Sequence, residues 1–185
     1  MKVLIAGGGI GGLTAALCCH HFGHDVTILE ASAVLDEVGA GIQIPPNAMK
    51  VFEALQIDEA IIDSAFTPEA LEARMGESGR SIFTIALQQH ALKRWGSPYL
   101  HIHRADYIKA LSRCLAPRKP GALILSAKIK NYAQDTNGVT VTLKDGREFS
   151  GDILIGADGI KSTIREQLLG QAPVNATGNV AWRGL

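Results

Sequence analysis

The chain has 185 residues, 46% hydrophobic and 19% charged, a composition of folded globular proteins rather than of disordered ones. Its 18 Lys and Arg balance 18 Asp and Glu, so neither a nucleic-acid footprint nor a polyanionic partner is indicated, and a small, weakly charged ligand fits better. Cys18, Cys19 and Cys114 lack Cys-x-x-Cys spacing and read as reduced thiols, while the 6 histidines, His20-His21 and the pair His101 and His103 among them, have no further ligands at metal spacing. No apolar run reaches the roughly 20 residues of a membrane span. The opening Met1–Ala6 is too short for a secretory leader, and a cytoplasmic location is the default expectation.

In chain order, Val3–Ala6 is a continuous apolar run that meets Gly7, the pattern of a parallel strand buried on both faces. Ile10, Leu13, Ala16, Leu17 and Cys18 follow at helical spacing up to Gly23, and Asp25–Glu30 is a second apolar strand. The three form one right-handed β-α-β crossover, the start of a doubly wound α/β sheet. Residues 31–44 read as loop. Pro45-Pro46 introduces a helix with Ala48, Val51, Phe52 and Leu55 on its apolar stripe, and Asp58–Ser64 reads as another.

Between Glu69 and Ile85 the period changes to alternation around the turn Glu77-Ser78-Gly79, which predicts a hairpin outside the main sheet. Residues 86–99 show no period and read as loop. Tyr99–His103 is a short strand, and Arg104 opens a helix with Tyr107, Ile108, Leu111 and Leu115 along one face. Ala122–Leu125, Ile129–Gln134, Val139–Leu143 and Arg147–Ser150 read as strands, the later ones a small meander with tight turns at Asn137-Gly138 and Asp145-Gly146. Ile153–Ile155 then enters Gly156-Ala157-Asp158-Gly159, and a helix follows from Ser162 to Leu169. Val180–Leu185 is again apolar and strand-like, and its lack of a polar tail suggests a fragment of a longer protein.

The chemistry starts at Gly7, Gly9 and Gly12, which satisfy G-x-G-x-x-G between a strand and a helix. The first permits the tight turn, Gly9 admits a pyrophosphate close to the backbone, and Gly12 lets helix and strand pack. Backbone N–H groups at the helix start, those of Ile10 and Gly11 included, then face the anion. Glu30 ends the second strand about 20 residues further on, where a carboxylate accepts from a ribose hydroxyl and repels a 2′-phosphate. Glycines of an ordinary turn and a solvated strand end are the plainer alternative.

Taken with Val38-Gly39-Ala40-Gly41-Ile42, Arg104-Ala105-Asp106 and Gly156-Ala157-Asp158-Gly159-Ile160-Lys161-Ser162, these motifs resemble the FAD-dependent aromatic hydroxylases, especially the salicylate and 3-hydroxybenzoate hydroxylase branch. The resemblance spans almost the whole chain. It implies a Rossmann-like FAD-binding fold, three-layered with a mostly parallel sheet and a β-meander. The domain would cover residues 1–170, with a hairpin excursion at about 69–98 toward a substrate domain that begins at 171–185.

The resemblance also implies roles. Glu30 and Ala31 would bind the adenosine ribose, Val38, Gly39, Ala40 and Gly41 would approach the flavin or its linker, and Arg104 would donate to ribityl or pyrophosphate oxygens. Ile129 falls among the cofactor-binding positions, Asp158 would support FAD and a transient nicotinamide cofactor, and Arg183, in Ala181-Trp182-Arg183-Gly184, would orient a substrate carboxylate or phenolate. Plainer readings remain beside these: loop glycines at Gly39 and Gly41, a surface cation at Arg104, a strand arginine at Arg183, and at Asp158-Gly159 a turn followed by a Ser162 helix cap.

With no nucleophile triad or metal cluster legible, the hard chemistry belongs to a cofactor. The resemblance implies hydroxylation of a small phenolic or carboxylated aromatic by NADH or NADPH and O2 through a flavin C4a-hydroperoxide. The family's later Gly-Asp element is not matched, since Gly151-Asp152 precedes a strand. The complete parent is therefore expected to be a monooxygenase and this chain to hold FAD weakly by itself. A truncated, inactive FAD-binding fragment and another flavin enzyme of the same fold, a halogenase or an isoprenoid reductase, are the alternatives.

Overall fold

The computed structural model describes residues 1–35, 41–171 and 175–181. In chain order its elements are β1 (Lys2–Ala6), α1 (Ile10–His21), β2 (Asp25–Leu29), β3 (Gly41–Ile44), α2 (Pro46–Ala54), α3 (Asp58–Ile62), β4 (Ala70–Arg74), β5 (Ser81–Ala86), α4 (Gln88–Trp95), β6 (Leu100–His103), α5 (Arg104–Arg118), β7 (Leu123–Ile124), β8 (Ile129–Asp135), β9 (Gly138–Leu143), β10 (Glu148–Gly151), β11 (Ile153–Gly156) and α6 (Thr163–Leu169). They fall into two compact units, one built from Met1–Glu37 with Leu111–Gly184 and the other from Val38–Ala110.

The first unit is organised around a four-stranded parallel sheet of order β11-β1-β2-β7. β1 is its axis, pairing with β2 from Lys2 opposite Asp25 to Ala6 opposite Leu29, and with β11 from Val3 opposite Ile153 to Ala6 opposite Gly156. Leu4, Ile5 and Ala6 are fully buried, as the unbroken apolar run requires of a strand covered on both faces. α1 buries Leu13, Ala16 and Leu17. Leu4, Ala6 and Leu29 share a core cluster with Ala127 and Ile129, with Val139, Val141 and Leu143 of the meander, and with Ile164 of α6. Burying a Leu or Val in such a cluster stabilises by about 1.5–3 kcal/mol each.

The meander β10-β9-β8 is antiparallel, and its outer strand β8 leaves an open edge. Gln167 of α6 covers part of that edge: its Oε1 accepts from Tyr132 N at 3.0 Å and its Nε2 donates to Tyr132 O at 2.6 Å.

In the second unit, β3 and β6 pair antiparallel, with Gln43 opposite His101, and Phe66 bridges to His101 on the other side of β6. Ile44, Met49, Phe52, Ile61, Leu100, Ile102 and Tyr107 are buried, and Phe52 meets the Tyr107 ring edge-on at 5.8 Å. β4 and β5 form a separate two-stranded sheet.

Three expectations are corrected here. The loop expected over 31–44 contains β3, and the loop expected over 86–99 contains α4, which buries only Ala91 and so leaves no apolar period to read. Val51, expected on the buried stripe of α2, is exposed, and Met49 takes its place beside Phe52.

Candidate functional site

Parallel sheets gather their functional loops at the carboxyl ends of the strands, beside the point where chain connections diverge. In the first unit that point is β1, flanked by β2 on one side and β11 on the other. The loops after these three strands carry Gly7–Gly9, Glu30–Ser32 and Ala157–Ser162.

Gly7 has φ of +100°, which a side chain would strain, and a Cβ on it would strike the carbonyl of Ala157. The close approach is held from both sides, because Gly7 N donates to Leu29 O and Ala157 N donates to Ala6 O, each at 2.8 Å. A Cβ on Gly12 would collide with Gly7 O, so the first turn of α1 lies directly on the loop. Gly9 differs: it caps α1 in extended conformation with φ of −73°, and a Cβ there would meet nothing within 4 Å. A Cβ on the exposed Gly11 would likewise meet nothing within 4 Å. No side chain caps α1, and Leu13 N is the first to donate into its ladder, to Gly9 O at 2.9 Å. The first-turn N–H groups of Ile10, Gly11 and Gly12 therefore have no i−4 acceptor within the helix, the condition under which a helix start binds an anion.

Glu30 stands beside this turn. Its Oε2 accepts from Gly8 N at 2.5 Å and its Oε1 from Ser32 N at 2.7 Å, so the carboxylate ties the loop after β1 to the loop after β2. Each oxygen keeps a further lone pair with which to accept from a hydroxyl. Gly8 and Ser32 were not singled out in the sequence. Only the middle one of three consecutive glycines points to a backbone crowded by a neighbour, and a Cβ on Gly8 would stand 3.0 Å from Glu30 Cβ.

Asp158, on the β11 side, is half-buried and turned toward α6. Its Oδ1 accepts from Ser162 Oγ at 2.5 Å, and its Oδ2 accepts from Thr163 N at 2.7 Å and Ile164 N at 3.2 Å. Ser162 caps the same helix, accepting from Arg165 N at 2.9 Å.

The structure thus brings Gly7, Gly9, Ile10, Gly11, Gly12, Glu30, the exposed Ala31 and Asp158 to one edge of one sheet. Ile129 starts β8 with its side chain in the core cluster. Gly41 begins β3 and Arg104 begins α5 as an exposed residue, both in the second unit. Val38, Gly39, Ala40 and Arg183 lie outside the described residues. Among the described residues no group of three or more His, Cys, Asp or Glu could hold a metal ion, and no helix is long and apolar enough to cross a membrane.

A glycine cradle open at Gly9, uncapped N–H groups and a carboxylate at the end of β2 suit the adenosine diphosphate portion of a dinucleotide. Residues 1–183 match the family described as FAD binding domain. The chain belongs to that family.

FAD is accordingly its cofactor class, as expected over NAD. The FAD binding domain is 37% identical to 3-hydroxybenzoate 6-hydroxylase of Polaromonas naphthalenivorans over 185 residues, all of this chain and 46% of that protein. It is 33% identical to 3-amino-4-hydroxybenzoate 2-monooxygenase PtmB3 of Streptomyces platensis over 184 residues, 46% of that protein. Among solved structures it is similar to Klebsiella pneumoniae HpxO complexed with FAD and uric acid, with a TM-score of 0.81 and 29% identity over 94% of this chain and 43% of that one. The chain thus spans about half the length of the curated relatives it matches. The α/β fold with a parallel sheet and the resemblance to flavoprotein hydroxylases both hold.

Proposed function

We propose that the protein to which this FAD binding domain belongs hydroxylates a small aromatic substrate bearing a phenol or a carboxylate, using O2 and NADH or NADPH. The observation that carries this is the open space before Gly9 beside the Glu30 carboxylate, a seat for the adenosine diphosphate end of FAD on a chain whose matched relatives act on hydroxylated benzoates. Bound flavin supplies the redox chemistry, passing electrons from the nicotinamide to oxygen.

In this reading the N–H groups of Ile10, Gly11 and Gly12 bind the pyrophosphate that Gly9 admits, and Gly7 shapes their turn. Glu30 accepts from the ribose and Ala31 lies beside it. Arg104 donates to ribityl or pyrophosphate oxygens, the Val38-Gly39-Ala40-Gly41 segment approaches the flavin, Ile129 contributes through its backbone, Asp158 walls the crevice on the β11 side, and Arg183 orients the anionic group of the substrate.

The test is to purify the chain, record its flavin spectrum, and follow NAD(P)H oxidation with and without hydroxylated benzoates. Flavin uptake with substrate-stimulated oxidation and a hydroxylated product is the expected outcome for a complete protein carrying this domain. A second reading, an FAD-binding fragment without turnover, is favoured by the share of the relatives that the chain spans. Flavin uptake with no oxidation from this chain alone, and full activity from a longer form, would separate the two.

A further inference from the structure

We infer that Ser162 is a positioning residue for the FAD loop, acting through Asp158 and the Ala157 carbonyl rather than by touching the cofactor. The inference rests on the assignment of FAD to the Gly7–Gly12 turn.

Ser162 is one of the few buried polar residues of the described chain, and both functions of its hydroxyl are used. Its proton goes to Asp158 Oδ1 and its oxygen accepts from Arg165 N. With Thr163 N and Ile164 N on Oδ2, three donors converge on the Asp158 carboxylate. A carboxylate so engaged is locked in rotamer, and its own backbone with it. That backbone is the wall of the glycine loop: a Cβ on Gly7 would stand 3.0 Å from Asp158 Cα and inside contact distance of the Ala157 carbonyl.

The turn thus fills the place a side chain would take at Gly7, and the path from Ser162 to the pyrophosphate turn is continuous through packed atoms. Ile164 is a second, independent tether. It packs where a Cβ on Gly156 would meet its side chain at 3.1 Å, so α6 stays docked on β11 when the cap is lost. Removal of the Ser162 hydroxyl leaves Asp158 Oδ1 without its donor, so that the carboxylate is held through Oδ2 alone and the 157–158 peptide is held less firmly against Gly7, with the helix still in place.

Three variants of the whole chain test this: Ser162→Ala, Ser162→Thr, which keeps a hydroxyl and an N-capping side chain, and Gln167→Ala, which cuts the tie of α6 to Tyr132 on the far side from the loop. FAD binding is titrated by quenching of flavin fluorescence well below the melting temperature, and backbone amide exchange is followed at Gly8 and Ala157. Ser162→Ala is expected to weaken FAD binding roughly fivefold, the equivalent of one lost cap, and to speed exchange at both amides. Ser162→Thr should restore both, and Gln167→Ala should change neither while lowering the melting temperature.

A merely structural Ser162 would lower the melting temperature and leave affinity and loop exchange where they are, and that result overturns the inference. If the wild-type chain takes up no FAD, the cofactor assignment fails for this chain, and exchange at Gly8 and Ala157 still decides whether Ser162 holds the turn.

Discussion

Replacing Gly9 by alanine separates what the loop does for the fold from what it does for the ligand. Gly9 has φ of −73° in extended backbone, which alanine adopts without strain, and its Cβ would meet no atom within 4 Å. The backbone accepts alanine and the unfolded chain loses conformational freedom worth about 0.4–1 kcal/mol, but at the N-cap of α1 alanine is the poorer residue by a similar amount, so Gly9→Ala should leave stability within about 0.5 kcal/mol of the wild type. For a chain of this size that is a change of no more than about 2 °C in melting temperature. The added methyl nevertheless stands in the space assigned to the pyrophosphate and holds it off the first-turn N–H groups. Each bond lost to a charged oxygen is worth about 1.5–3 kcal/mol, about a 10- to 100-fold fall in FAD affinity.

Gly12→Ala gives the contrast. Its methyl would run into Gly7 O, so the helix or the loop must move, at a cost of about 1–3 kcal/mol or more, and the melting temperature falls. Differential scanning calorimetry and isothermal titration with FAD read both quantities on the same samples. A Gly9→Ala chain that binds FAD as the wild type does, at equal or higher melting temperature, would refute the placement of the pyrophosphate before Gly9.

Other outcomes follow from single contacts. Glu30→Gln keeps one acceptor where two N–H groups are bound, so the bond to Gly8 or to Ser32 is lost; the half-exposed site sets the expected cost at about 1 kcal/mol, and an unchanged denaturation midpoint would show that the bridge contributes nothing. Burial raises Tyr107 to about 12 from its ordinary 10. The unfolded chain therefore ionises first, the stability due to this group is intact below pH 10, and up to about 3 kcal/mol is lost as pH climbs from 10 to 12. Tyr107→Phe should flatten the alkaline limb of a pH-stability curve, and an unaltered limb would contradict the burial argument. On the hairpin, Leu71 pairs with Ile85 and Ala73 with Phe83 on one face, where Leu71, Phe83 and Ile85 are all exposed. Phe83→Thr with Ile85→Thr should reduce binding of an apolar dye to the chain while moving stability by no more than about 0.5 kcal/mol.

The elements visible in the sequence were those whose burial follows one period over several residues. β1 announces itself because Val3, Leu4, Ile5 and Ala6 are all buried, and α5 because Tyr107, Ile108, Leu111 and Leu115 recur along one side. α4 carries no such mark. Its Leu92 and Trp95 are exposed and only Ala91 is inside, so the stop at Gly96, left-handed with φ of +75°, was the one feature of that helix available to a reader of the sequence. β3 is short, and its pairing with β6, more than fifty residues away in the chain, is a tertiary fact with no local signal.

The candidate site divides in the same way. G-x-G-x-x-G treats its glycines as equals, and packing sorts them into two kinds: at Gly7 and Gly12 another backbone occupies the position of the side chain, whereas at Gly9 nothing does. The first two are thus required by the fold with or without a ligand, and only the third is explained by something the protein binds. Asp158 is sorted by packing too: its carboxylate is engaged by the start of α6, and the Ala157 peptide beside it lies against the loop at Gly7. The helix cap and the wall of the glycine loop are here one arrangement, because the turn that begins α6 is the turn that closes on Gly7.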